Sequence, residues 1–252
     1  MITLLDGAMG TELQKRGARV DLPLWSAHAL MENPELVYEI HKDYLIAGAD
    51  VITTNTFRTH RRSLDKGGLG HYAKTLTESA VKLALDARKD LNFSAQIAGS
   101  ISPLEDCYRP DLSPGESEDE FREIADVLLI ETMNNITELS SALRACYKTG
   151  IEYWASVNPS NNDAEKLLSG ENVLEAMRAC EGEGASVFLV NCAGMKAIED
   201  AIKNIAESCT IPFGGYANNG MSDEVNGWRF TDEISGEEFS EHCKRLLEMG
   251  AT

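Results

Sequence analysis

Short apolar runs alternate with stretches of helical periodicity along almost the whole chain. The runs predict strands at Ile2 to Asp6, Val51 to Thr54, Ala95 to Gly99, Val127 to Glu131, Tyr153 to Val157, Val187 to Asn191 and Ile211 to Tyr216. Helices are predicted between them at Pro34 to Ala47, Ala73 to Leu91, Ile136 to Tyr147, Val173 to Cys180, Ala197 to Glu207 and Glu237 to Met249. Pro34 stands where a helix tolerates proline, in the first turn, and Leu36, Val37 and Ile40 follow at helical spacing. Strands that alternate with helices of about 10 to 15 residues imply parallel βαβ units. Seven such strands favour an α/β (β/α)8 TIM barrel over an open sheet.

A weak internal repeat supports the barrel. Gly48-Ala49-Asp50-Val51 and Gly184-Ala185-Ser186-Val187 each close a helix and open a strand, with glycine where a helix C-cap favours positive φ. Gly250-Ala251-Thr252 repeats the device at the end of the supplied chain. The pattern therefore predicts an eighth strand just beyond Thr252. A second irregularity lies near residue 124. The helical stretch Asp119 to Ile124 spans only about 10 Å at ~1.5 Å per residue. A typical strand is about 17–20 Å long, so the expected barrel is short of helical chain there too.

The remaining composition narrows the function. The chain has 252 residues, the usual size of one barrel domain, so residues 1–252 are expected to form a single domain. A net charge of −18 argues against nucleic acid or an anionic membrane as partner. No apolar run reaches the ~18 residues of a membrane span, and no signal-peptide layout opens the chain. Cysteines are scattered singly at 107, 146, 180, 192, 209 and 243, which suits a reducing cytoplasm. Most of them fit a small-core role, but Cys192 differs because it follows the strand-like run Val187 to Asn191.

Barrel enzymes place their functional groups at the C-terminal ends of strands. Those ends carry Asp6-Gly7, Thr54-Asn55, Ser100, Glu131-Thr132, Asn158, Asn191-Cys192 and Ala217-Asn218-Asn219. Two carboxylates, several amides and a thiol could hold a small zwitterion. Gly7 and Gly10 would let backbone approach a ligand and aim N–H groups at an anion. Glu131 follows four apolar residues, and a carboxylate there is costly unless paired or used. The five histidines show no metal-ligand spacing, and no glycine-rich nucleotide-binding loop follows a strand.

These pieces together resemble the homocysteine S-methyltransferase family. The matching motifs are Leu5-Asp6-Gly7-Ala8-Met9-Gly10-Thr11-Glu12-Leu13, Leu24-Trp25-Ser26, Asn33-Pro34-Glu35, Thr53-Thr54-Asn55-Thr56-Phe57, Gly99-Ser100-Ile101, Ile130-Glu131-Thr132, Val190-Asn191-Cys192 and Tyr216-Ala217-Asn218-Asn219-Gly220. The resemblance implies a (β/α)8 barrel that moves a methyl group to homocysteine sulfur, with S-methylmethionine, betaine or a methylfolate–corrinoid system as donor. It implies a Zn2+ ion held by three cysteines. Cys192 matches one, and the adjacent pair is expected beyond Thr252. It further implies that Asp6 and Glu131 hold the homocysteine ammonium, that the Gly7 and Ala8 amides hold its carboxylate, and that Asn55, Asn191 and Asn218 line the pocket. Trp25, Phe57, Tyr108 and Tyr216 are available for an aromatic cage around a quaternary ammonium donor. A homo-oligomer or a separate corrinoid or folate protein is an open expectation. Two other readings also stay open: a metal-free lyase or hydrolase using Asp6 and Glu131, and a degenerate barrel that binds an amino acid without turnover.

Overall fold

The computed structural model describes residues 2–115, 129–218, 221–223, 227–229 and 234–252. The helix predicted from Asp119 to Ile124, and Val127 and Leu128 of the predicted fourth strand, lie outside the described residues. The chain divides into two compact units, one built on Ile2–Leu104 with Leu129, the other on residues 105–115 and Ile130–Thr252.

In the first unit, α1 (Met9–Lys15), α2 (Ala29–Glu32), α3 (Pro34–Ala47), α4 (Arg61–Lys66) and α5 (Ala73–Asp90) surround a short parallel pair, β1 (Val51–Thr53) and β2 (Gln96–Ala98), followed by β3 (Ser100–Ile101). Helix α3 starts at Pro34 and ends at Gly48 with φ 99°, as its sequence requires. Its buried stripe of Val37, Ile40 and Leu45 joins a core to which α5 contributes Ala80, Ala84 and Ala87.

The strand predicted from Ile2 to Asp6 shrinks to one parallel bridge, Leu5 to Val51. Ile2 and Leu4 are exposed, so no buried face drives a longer ladder. Carboxylates supplement the backbone pairing: the Leu4 amide donates to Asp50 Oδ2 at 2.9 Å, and the Thr53 amide donates to Asp6 Oδ2 at 2.8 Å.

In the second unit four strands lie in the order β4 (Leu129–Met133), β5 (Trp154–Val157), β6 (Val187–Gly194), β7 (Phe213–Asn218). β5 pairs with β6 and β6 with β7, both in parallel. The helices α6 (Ile136–Tyr147), α7 (Val173–Gly182), α8 (Met195–Ile205) and α9 (Gly236–Glu248) alternate with them. Val190 and Phe188 of β6 and Ile198 and Ile202 of α8 are fully buried. Helix α8 approaches β7 so closely that a Cβ at Gly215 would lie 2.7 Å from Ile198 Cγ2. The Thr252 amide donates to the Phe213 carbonyl at 3.0 Å, on the first residue of β7. An antiparallel pair, β8 (Met221–Asp223) with β9 (Gly227–Arg229), was not anticipated from periodicity.

Three boundaries shift in ways that matter for chemistry. β4 continues through Thr132 to Met133, so Glu131 sits mid-strand rather than at the end. β6 runs on to Gly194 past a register shift after Asn191, so Cys192 lies within that irregular final stretch. β7 ends on Asn218. No described helix is long and apolar enough to cross a membrane.

His41 in α3 is fully buried, and neither ring nitrogen finds a hydrogen-bond partner among the described residues. Burial lowers its pKa from 6.5 to about 4. Below pH 6.5 the unfolded chain takes up a proton that the native state refuses. The titration of His41 therefore leaves stability unchanged above about pH 6.5, and stability falls progressively from there down to about pH 4. Over that window the loss is about 3 kcal/mol by linkage. Urea unfolding across this range is expected to show His41→Leu with a higher midpoint and a shallower acid decline than the parent chain. His60, also lowered by burial, accounts for part of the remaining slope.

Candidate active site

In the second unit the carboxyl-terminal parts of β4, β5, β6 and β7 carry a connected set of polar side chains. Two residues there adopt left-handed backbone, Thr132 with φ 62° and Cys192 with φ 57°. Positive φ is unusual for any side chain and a clear outlier for a β-branched one, so local bonds must hold it. The Thr132 amide donates to Ser156 Oγ at 3.1 Å, and Asn191 Nδ2 donates to Thr132 Oγ1 at 2.8 Å. Thr132 Oγ1 lies 3.4 Å from Cys192 Sγ. Asn158, with its amide nitrogen facing the Cys192 carbonyl, donates to it at 3.2 Å. These contacts fix both the backbone and the sulfur of Cys192.

Glu131 joins the same set through Tyr216, whose hydroxyl donates to Glu131 Oε2 at 3.1 Å and lies 3.1 Å from Ser156 Oγ. Burial, with the Glu131 charge beside it, pushes the Tyr216 phenol well above its ordinary value, so it remains a donor. Asn218 Nδ2 is 3.5 Å from the Tyr108 hydroxyl, which also contacts Cys192. Tyr108 is carried by a loop anchored through Asn134, whose Nδ2 donates to the Cys107 carbonyl at 3.0 Å. Burial pushes the Cys192 thiol from 9.0 up to about 11, against the opposing pull of the Thr132 hydroxyl. Among the described residues no cationic side chain contributes to this shift, so none there favours a free thiolate.

The first unit holds the other predicted residues. Both Asp6 carboxylate oxygens accept from Thr53, Oδ2 from its amide and Oδ1 from its hydroxyl, each at 2.8 Å. The glycines of the following turn have a packing reason. A Cβ at Gly7 would lie 2.7 Å from the Tyr44 hydroxyl, and one at Gly10 would collide with the Trp25 indole nitrogen. The Ala8 carbonyl accepts from the Tyr44 hydroxyl at 3.3 Å. Asn55 Nδ2 donates to the Ser26 carbonyl at 2.9 Å, while its buried Oδ1 has no partner among the described residues.

With the geometry in place, the comparisons with known proteins converge. A family model described as homocysteine S-methyltransferase matches residues 3–252. The chain belongs to the homocysteine S-methyltransferase family. It is 28% identical to homocysteine S-methyltransferase YbgG of Bacillus subtilis, covering 99% of this chain and 88% of that protein. It is 29% identical to homocysteine S-methyltransferase of Escherichia coli, covering 98% and 85%. The crystal structure of the metallated form of the homocysteine methyltransferase MmuM from E. coli superposes with a TM-score of 0.79 at 26% identity, over 99% of this chain and 89% of that one. The parallel α/β architecture is thus of the TIM-barrel type, as expected, and the protein is a member of an enzyme family.

Sequence reasoning reached Glu131, Asn191, Cys192 and Asn218, which the structure brings into one network. It considered Tyr108 and Tyr216 only as aromatic surfaces, whereas their hydroxyls bond to Asn218 and to Glu131 and Ser156. Ser156 was not singled out, since a serine inside an apolar strand carries no signal of its own. Among the described residues no three of His, Cys, Asp or Glu converge to hold an ion. Cys192 alone does not fit zinc, because a stable tetrahedral centre needs about three protein ligands.

Replacing Asp6 by Ala removes both bonds to Thr53, that of its amide and that of its hydroxyl. Urea unfolding is expected to show a loss of about 1.5–3 kcal/mol, the worth of hydrogen bonds to a charged, half-buried acceptor. A wild-type midpoint for Asp6→Ala would mean that the carboxylate does not anchor the turn to β1.

Proposed function

We propose that this chain transfers a methyl group from a small donor to the sulfur of L-homocysteine, giving methionine. The observation that carries the proposal is the network in which Glu131 and Cys192 share one set of hydrogen bonds, in a chain whose family membership spans residues 3–252. Glu131 is the proposed partner of the homocysteine ammonium, with Asn191 and Asn218 as pocket residues on neighbouring strands. The turn at Asp6, Gly7 and Ala8, and Asn55, whose acceptor oxygen has no partner among the described residues, are proposed as further substrate-binding residues on the strength of the family motif.

Cys192 is proposed as one ligand of a zinc ion, with the other ligands coming from outside the described residues. When bound, zinc would supply a deprotonated substrate sulfur at neutral pH, which none of the described groups near Cys192 supplies by itself. The protein's own part is orientation: a carboxylate for the ammonium, amides for the polar backbone of the amino acid, and a buried wall that excludes water. The new carbon–sulfur bond forms as the donor's bond to the same methyl breaks. S-methylmethionine, betaine and a methylfolate–corrinoid donor are all compatible with this arrangement. The whole chain is taken as one substrate-binding domain, and its six free cysteines suit a reducing, cytoplasmic setting.

The test is methionine formation from homocysteine with each donor in turn, together with zinc content by atomic spectroscopy on the full gene product. About one zinc per chain and turnover with one donor are expected, both lost in Cys192→Ser. Turnover that survives Cys192→Ser and chelation would overturn the zinc proposal and favour acid–base chemistry at Asp6 and Glu131. Homocysteine binding with neither zinc nor turnover would leave an amino-acid-binding barrel.

A further inference from the structure

Ser156, in the middle of β5, is fully buried and lies at the crossing of the site's hydrogen bonds. Its partners allow few arrangements of protons. Asn191 Oδ1 can only accept, so Ser156 Oγ donates to it at 3.0 Å. Asn191 Nδ2 can only donate, and it gives a proton to Thr132 Oγ1 at 2.8 Å. The Thr132 hydroxyl proton is thereby directed toward Cys192 Sγ at 3.4 Å. Ser156 Oγ in turn accepts the Thr132 amide, and its remaining contact is the Tyr216 hydroxyl at 3.1 Å. That phenol has one proton and two acceptors, Ser156 Oγ and Glu131 Oε2.

We infer that Ser156 is a positioning residue that couples the substrate-binding carboxylate Glu131 to the sulfur of Cys192. This rests on the methyl-transfer reading for the roles of Glu131 and Cys192, but the linkage itself rests on the hydrogen bonds alone. One arm runs from Ser156 through Asn191 and Thr132 to the sulfur. The other runs through Tyr216 to Glu131. The phenol proton is shared between Ser156 Oγ and Glu131 Oε2 in the empty site, and a cation on Glu131 shifts it toward Ser156, so that every contact of the serine is then satisfied with Thr132 held in its left-handed conformation. Substrate capture on one strand thus tightens the sulfur on another without any movement of backbone. Ser156 need not touch substrate for this.

Two readouts separate the arms. The first is the rate at which iodoacetamide alkylates Cys192 in chelator-treated protein at fixed pH, followed by peptide mass spectrometry with buried Cys180 as internal reference. The second is the division of any kinetic loss between KM for homocysteine and kcat. Ser156→Ala is expected to speed Cys192 alkylation about 5-fold or more and to raise KM about 10-fold, as loss of an outer-shell partner does elsewhere. Thr132→Val should change alkylation and kcat with little effect on KM, and Tyr216→Phe should chiefly raise KM.

The decisive sign of coupling is that Tyr216→Phe also speeds alkylation, by about 2-fold or more, and that adding it to Ser156→Ala changes nothing further, as expected for residues of one network. A folded Ser156→Ala variant with parental alkylation and KM would overturn the inference. Should that variant not fold, Tyr216→Phe with a parental alkylation rate does the same. Alkylation needs no turnover, so a chain inactive on homocysteine would sink the functional reading while this readout still decides the coupling.

Discussion

Parallel pairing is the constraint on which everything at the site depends. Because β5, β6 and β7 run the same way in matched register, their carboxyl-terminal residues fall along one edge of the sheet. Ser156, Asn191 and Tyr216 are distant in sequence but adjacent on that edge, with Asn191 directly opposite Tyr216. Slip any strand by one residue and each side chain turns to the other face, so the network and the ladder stand or fall together. The helices act on the site indirectly. Ile198 of α8 against Gly215 keeps β7 close, and α7 packs on β5 and β6.

The general plan was legible in the sequence because two periodicities alternate cleanly. Ile136–Tyr147 was recovered to the residue, and Pro34–Ala47 was delimited by its own proline and glycine. Strand boundaries were less legible. Apolar runs reveal where a strand is buried, but β4, β6 and β7 continue past them, through Thr132 to Met133, Cys192 to Gly194 and Ala217 to Asn218. At Ile2 to Asp6 the error ran the other way: an apolar run that stays exposed forms a single bridge.

The chemistry was legible only where a residue type is out of place. A carboxylate after Ile130 and a cysteine after Asn191 break an apolar pattern and so attract notice. Ser156 and Thr132 break no pattern that sequence displays, since small hydroxyl residues are ordinary in strands. The positive φ of Thr132 and Cys192 is equally silent, because left-handed backbone is normally announced by glycine. The glycines that do appear, at 7 and 10, serve the packing of Tyr44 and Trp25.

The left-handed backbone at Thr132 and Cys192 also bears on how such a site changes over generations. A glycine at either position would relax the chain by roughly 1–2 kcal/mol, and it would remove the hydroxyl or the sulfur in the same step. At Thr132 that relief is offset, because the buried Asn191 Nδ2 would lose its partner at 2.8 Å. A lineage released from the need for catalysis would therefore be expected to drift toward glycine first at Cys192, where only the sulfur is given up.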